Sequence, residues 1–81
     1  MTLSEIEEKV RAFLVDELEI DPEKVVPEGL LKEDMGIDSL EVVDIAVLVE
    51  QQFGVKIKIE DFRDHRTFGD FCRFIESKIR G

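Results

Sequence analysis

Gly36-Ile37-Asp38-Ser39-Leu40-Glu41 lies between a loop punctuated by proline and glycine and a strongly apolar segment, and its reading decides the fold. Asp38 followed three residues later by Glu41 is the pattern of a capping box, with Asp38 as N-cap and Glu41 at the third helical position. Ser39 then falls at the first helical position, facing solvent, with its hydroxyl not consumed in capping. A helix start offers unpaired backbone N–H groups and the positive end of the macrodipole, so the address favours an attached phosphate. Taken alone, a serine before a helix is usually an ordinary cap. The surroundings have to decide.

The helix that begins here is predicted to run from about Ser39 to Phe53 and to stop at Gly54, a good residue for the left-handed position after a helix. Ile45, Val49 and Phe53 recur at four-residue spacing and make the core face. Leu40, Val43 and Val47 form a second apolar stripe rotated away from it, starting beside Ser39. Flanked by Glu41, Asp44 and Glu50, this second stripe has the character of a docking surface for a partner helix or groove. The competing reading buries both stripes in a compact bundle, with Val43 balanced between the two.

Upstream, Leu3, Ile6, Val10, Phe13, Leu14 and Leu18 form one stripe of a helix predicted over about Leu3 to Leu18. Its start signal is Thr2 with Glu5 or Ser4 with Glu7, and its other residues are largely acidic, a solvated face. The connection from Glu19 to Asp38 is long for a small domain. Asp21-Pro22-Glu23 reads as a capped single turn. Val25, Val26, Leu30, Leu31 and Met35 are too apolar for a free linker, so the loop is expected to pack on the core. Downstream, Val55, Ile57 and Ile59 alternate with Lys56 and Lys58, a strand-like period with no partner strand. The expectation is an extended connection with Val55, Ile57 and Ile59 turned inward. Glu60 to Arg63 makes a short helical turn carrying Phe62. A last helix begins at Thr67, with Asp70 three residues on, and runs to about Ile79 before Arg80-Gly81. Phe68, Phe71, Ile75 and Ile79 are its apolar stripe.

The chain has 81 residues, enough for one small domain spanning 1–81, and carries a net charge of −9. That balance disfavours nucleic acid and anionic membrane surfaces and favours basic protein partners. Residues 1–50 hold 15 Asp/Glu against 4 Lys/Arg, whereas residues 51–81 hold 5 against 7. Cys72, the single cysteine, excludes an internal disulfide and a cysteine-based zinc cluster, and reads as a small core residue. Met1-Thr2-Leu3-Ser4-Glu5 leads straight into an acidic segment without a signal-peptide pattern, and no apolar run reaches transmembrane length. A cytoplasmic monomer without membrane insertion is expected.

Catalytic chemistry is scarce. His65, the single histidine, stands in a charged turn beside Arg66 and reads as a surface residue. A Ser/His/Asp triad would need long-range assembly in a chain too small for a cleft. Glycine-rich phosphate loops and metal-binding spacings are absent, and Asp61-x-x-Asp64 lacks the glycine and spacing of a calcium loop. The residues support neither an enzyme nor a metal site.

The chain resembles the acyl carrier proteins along essentially its whole length. Asp38-Ser39-Leu40 matches that family's attachment motif, and Phe53-Gly54 closes the helix after the serine. Ile57 and Thr67-Phe68 fall where the family places an isoleucine and a Thr-Val pair. The resemblance implies an all-α fold, a four-helix bundle with a long first loop and a short third helix. It implies 4′-phosphopantetheine attached to Ser39, within Asp38-Ser39-Leu40, bearing an acyl group as a thioester delivered to partner enzymes. A phosphopantetheinyl transferase would activate the serine, so no general base is needed in this chain. Glu41, Asp44 and Glu50 would steer the carrier to basic patches on acyl-loading and acyl-transferring enzymes, with Leu40, Val43 and Val47 as apolar anchors. Several positions depart from the family pattern. Lys58 follows Ile57 where proline is frequent, Arg63, His65 and Arg66 interrupt third-helix acidity, Gln51 and Gln52 follow Glu50, and Val42 and Leu48 add apolar bulk. These point to a dedicated carrier in a specialised fatty acid, lipid or polyketide pathway. Phe53-Gly54-Val55 and Glu60-Asp61-Phe62-Arg63 are also similar to aminoacyl (D-alanyl) and peptidyl carriers. A reading of another class is a small helical interaction domain with no prosthetic group.

Overall fold

The computed structural model describes residues 2–80. The glycine expected to end the last helix, Gly81, lies outside the described residues. Four helices follow one another: α1 (Leu3–Asp16), α2 (Ser39–Phe53), the short α3 (Ile59–Asp64) and α4 (Phe68–Arg80), with a single 3₁₀ turn at Pro22–Lys24 in the first loop. No strand occurs among the described residues, so the fold is all-α, as expected. α1 packs along α4, and α2 against α3.

Local sequence explains where each helix begins. Thr2 and Glu5 close a capping box on α1, and the Asp21 side chain caps the 3₁₀ turn with Pro22 at its first position. Thr67 Oγ1 accepts the Asp70 N–H at 3.1 Å and starts α4. α1 ends at Asp16, two residues before the expected Leu18, because the chain turns back at Glu19, whose φ of 55° is left-handed. Ile20 N–H then donates to the Leu14 carbonyl at 3.0 Å, and its side chain is buried.

One apolar core joins the elements. Ile6, Val10 and Leu14 enter from α1, Val42, Ile45 and Val49 from α2, and Phe68, Phe71, Cys72 and Ile75 from α4. Val42 belongs to the buried face of α2, while Phe53, expected in that stripe, is half-buried.

The long loop is anchored at its expected residues, with Val25, Leu31 and Met35 buried and Val26 and Leu30 half-buried. Its backbone does a second task. The first N–H groups of a helix have no partner within it, and here loop carbonyls supply them. Phe68 N–H donates to Gly29 O at 3.0 Å and Gly69 N–H to Pro27 O at 2.9 Å, while Leu31 N–H reaches Arg66 O at 2.9 Å.

Two expectations are corrected. Ile59 does not turn inward but is the first residue of α3 and is 42% exposed. Asp61 Oδ2 accepts the Lys58 N–H at 3.0 Å, so the helix starts one residue earlier than Glu60, and the turn into it carries Ile59 outward. Val55 is buried and Ile57 half-buried. His65 is not a free surface side chain. Its ring packs on Phe74 at 4.5 Å between centroids, and its Nδ1 lies 2.7 Å from the Asp61 carbonyl oxygen. A carbonyl only accepts, so Nδ1 carries the proton.

Candidate functional site

The start of α2 is held from both sides. Gly36 (φ 69°) turns the chain, and Ile37 is buried with its N–H donating to Leu31 O at 3.0 Å. Val42, one turn into the helix, is buried as well. Asp38 and Glu41 complete the predicted capping box. Asp38 Oδ1 accepts the N–H groups of Leu40 and Glu41, each at 3.0 Å, and Glu41 Oε1 accepts the Asp38 N–H at 3.3 Å. Ser39 stands between these fixed points as the first residue of α2, exposed, its hydroxyl without a hydrogen-bond partner among the described residues.

This geometry revises the electrostatics expected of the helix start. The Leu40 and Glu41 amides are already taken by the Asp38 carboxylate, and the Val42 N–H donates to Asp38 O at 3.0 Å. These donors are not free for an anion, and two carboxylates stand beside the serine. The macrodipole still favours a phosphate on Ser39 by roughly 0.3–1 kcal/mol, but that gain is opposed locally by Asp38 and Glu41. Accessibility rather than anion binding qualifies this hydroxyl. A tether at Ser39 fits the residues present, since its oxygen is solvent-facing and its modification would leave every capping bond in place.

The apolar stripe beginning beside Ser39 is exposed, with Leu40 at 79%, Val43 at 54% and Val47 at 50%. Asp44 and Glu50 are exposed and Glu41 half-buried. All the residues singled out by sequence, from Asp38 to Glu50, therefore lie on or beside one outward surface of α2. Val47 forms a ridge between two shallow grooves. Toward α1 a groove of about 400 Å³ is lined by Phe13, Leu18, Leu48, Glu17, Asp44 and Gln51. Toward α3 a groove of about 500 Å³ is lined by Val43, Ile57, Ile59, Glu50, Lys56 and Lys58. Lys56, Lys58 and Ile59 were not among the expected site residues. Their alternation was visible, but that they line a groove together with α2 residues is a tertiary fact.

Other chemistry is muted. Cys72 is fully buried, and burial, with the Glu7 charge adding to it, pushes its thiol up to about 12 from an ordinary 9.0. No group of three or more His, Cys, Asp or Glu able to hold a metal is found among the described residues, and none of their helices is long and apolar enough to cross a membrane.

Residues 8–75 match the family described as the phosphopantetheine attachment site. The chain is 44% identical over 79 residues to an acyl carrier protein of Thermosynechococcus vestitus, covering 98% of each. It is 38% identical over 79 residues to acyl carrier protein 2 of Ralstonia nicotianae, again covering 98% of each. Among solved structures it is similar to the acyl carrier protein of Enterococcus faecalis, with a TM-score of 0.78, 28% identity, and coverage of 96% of this chain and 99% of that one.

Proposed function

The chain belongs to the acyl carrier proteins, which hold acyl groups on a phosphopantetheine arm, and from that premise we propose that Ser39 is the residue to which the arm is attached. The observation that carries the assignment is the free, exposed hydroxyl at the first position of α2, inside the stretch matching the attachment family. When bound, 4′-phosphopantetheine supplies the thiol that holds the acyl group as a thioester. The chain's own residues do the positioning. Asp38 and Glu41 fix the first turn, and buried Ile37 and Val42 keep it from moving relative to the core. Ser39 is thereby presented at a constant place without being consumed by it.

The 81 residues are read as one carrier unit, a cytoplasmic monomer that is not itself an enzyme. The nucleophile in loading is the Ser39 hydroxyl itself, which takes the arm as the pyrophosphate bond of coenzyme A breaks. His65 is engaged by Asp61 and Phe74, so the base that activates the serine comes from a phosphopantetheinyl transferase. Leu40, Val43 and Val47 serve as apolar anchors for that enzyme and for acyl-loading and acyl-transferring enzymes. Glu41, Asp44 and Glu50 steer basic patches toward them, raising on-rate more than affinity, as suits a carrier that must release. The departures at Lys58, Arg63, His65 and Arg66 support service in one specialised fatty acid, lipid or polyketide pathway.

The test is incubation with coenzyme A and a broad-specificity phosphopantetheinyl transferase, followed by intact-mass measurement. One phosphopantetheine adduct on the wild-type chain, lost in Ser39→Ala, is the expected result. A folded wild-type chain that never gains mass would leave only a helical interaction domain, and an adduct retained in Ser39→Ala would move the site elsewhere.

A further inference from the structure

The two grooves beside Val47 differ in charge. The α1-side groove is lined by two acids, Glu17 and Asp44, and by no basic residue. The α3-side groove is lined by two basic residues, Lys56 and Lys58, and one acid, Glu50. Neither lysine lies within ion-pairing distance of an acid among the described residues, where the single such pair is Arg73 with Asp70. Both stand beside exposed apolar surface, Val43 and Ile59, that a docked partner would cover.

We propose that this docking face is bipolar, seating a partner helix whose apolar ridge carries basic residues on the flank toward Glu17 and Asp44 and acidic residues on the flank toward Lys56 and Lys58. The inference rests on α2 being the docking face of the carrier, and it names the partner's chemistry. A helix suits the site because Val47, exposed between the two grooves with exposed Val43 one turn away, offers the relief into which helix ridges pack. Charge complementarity decides the flanks. A partner basic on both sides would lay cations over Lys56 and Lys58 as water is excluded, and juxtaposed like charges are strongly disfavoured there. The lysine wall therefore rejects partners that the acidic half of the surface would accept, and discrimination built on a repulsive element is a general route to specificity. It also sets direction. An apolar ridge alone accepts a helix running either way, but reversing the helix exchanges its flanks, so opposite charges on the two walls admit one orientation.

The test uses fluorescein-labelled, 18-residue helical peptides with a leucine stripe, one bearing Lys on one flank and Glu on the other, one bearing Lys on both. Anisotropy titrations at low salt compare the wild-type chain with Lys56→Glu/Lys58→Glu and with the milder Lys56→Gln/Lys58→Gln. The expected result is that the double Glu variant binds the bipolar peptide roughly 3- to 10-fold more weakly, the scale of two exposed ion pairs, and the all-Lys peptide more tightly. The Gln variant is expected to shift both in the same directions by less. Bipolar-peptide affinity that is unchanged or raised in the Glu variant overturns the proposal, as does absence of binding to the wild type. Intact-mass loading of Ser39 is followed in parallel. Loading that succeeds while the peptides fail to discriminate sinks the bipolar face alone. Peptide discrimination in a chain that is never loaded sinks the attachment assignment instead.

Discussion

Asp38 and Glu41 hold each other across the first turn of α2: the Asp38 carboxylate accepts the Glu41 N–H at 3.0 Å, and the Glu41 carboxylate accepts the Asp38 N–H at 3.3 Å. The one hydroxyl enclosed by this exchange, that of Ser39, takes no part in it. Cap and tether are thus separable. Asp38→Ala is expected to cost about 1 kcal/mol, lowering Tm by roughly 4–8 °C for a chain of this size, and to slow loading of Ser39. Asp38→Asn, which keeps an acceptor oxygen, should restore most of the stability. Ser39→Ala should abolish loading with Tm nearly unchanged. Thermal unfolding followed by circular dichroism, with intact-mass loading rates, checks all three.

Steering by the α2 acids is best probed at Asp44. Glu41 also closes the cap, so reversing its charge confounds two effects, whereas Asp44 is exposed and makes no hydrogen bond among the described residues. Asp44→Lys is expected to slow loading or acyl transfer by roughly 2- to 5-fold at low salt, the scale of one exposed ion pair. The difference should shrink toward 0.3 M salt as the Debye length contracts. Equal rates for both proteins at low salt would contradict it.

The acids of the first half repel one another without local compensation. Residues 1–50 hold 15 acidic against 4 basic residues, and the one ion pair among the described residues, Arg73–Asp70, is outside that half. Raising sodium chloride from 10 mM to 0.3 M is therefore expected to increase Tm, by on the order of 5 °C, through general screening. A melting temperature indifferent to ionic strength would refute this.

Cys72 gives a separate handle. Its buried thiol stays protonated in the folded chain up to about 12, whereas the ordinary value is 9.0. Between those values the unfolded chain alone releases the proton, so the stability associated with the neutral thiol is intact below 9.0 and is lost progressively as pH rises toward 12. At pH 8 the native loaded protein should show one thiol reactive with a disulfide reagent, that of the arm, and a second only in denaturant. Two fast thiols in the native protein would be the contrary result.

What could be read before the structure was what is local in sequence. The Asp38/Glu41 and Thr2/Glu5 boxes, the Thr67 cap and Gly54 at the end of α2 each involve residues within four positions, and the structure repeats them. The second stripe was legible as rotated away from the core face, but whether Val43 in it was buried stayed balanced until the structure exposed Leu40, Val43 and Val47 alike. Ile59 was misplaced because period-two alternation says which residues share a side, not where the next helix begins, and the Asp61–Lys58 cap settled that. The partners of His65 and the groove that Lys56 and Lys58 share with α2 depend on chain segments meeting in space, for which spacing gives no signal. So does the fastening of the first loop to α4, where carbonyls, which carry no sequence identity, do the bonding.

That fastening predicts an unusual response at Gly69. In a helix interior, glycine is less favourable than alanine by about 1 kcal/mol, so Gly69→Ala in the first turn of α4 would ordinarily stabilise. Here a Cβ would sit 2.9 Å from the Pro27 carbonyl oxygen and 3.3 Å from the Pro27 Cα and Cβ. The obstacle is backbone, and that backbone is tied to α4 by the Gly69–Pro27 and Phe68–Gly29 hydrogen bonds. Relief requires the loop to lift, which costs about 1–3 kcal/mol for comparable overpacking and outweighs the propensity gain. Gly69→Ala is therefore expected to lower Tm and to speed amide hydrogen exchange at Leu31 and Phe68. Because the same loop delivers Ile37 and Asp38 to the start of α2, Ser39 loading should slow in step. A raised Tm with exchange unaltered would show that the loop yields freely, and its carbonyls would then not be what holds the serine in place.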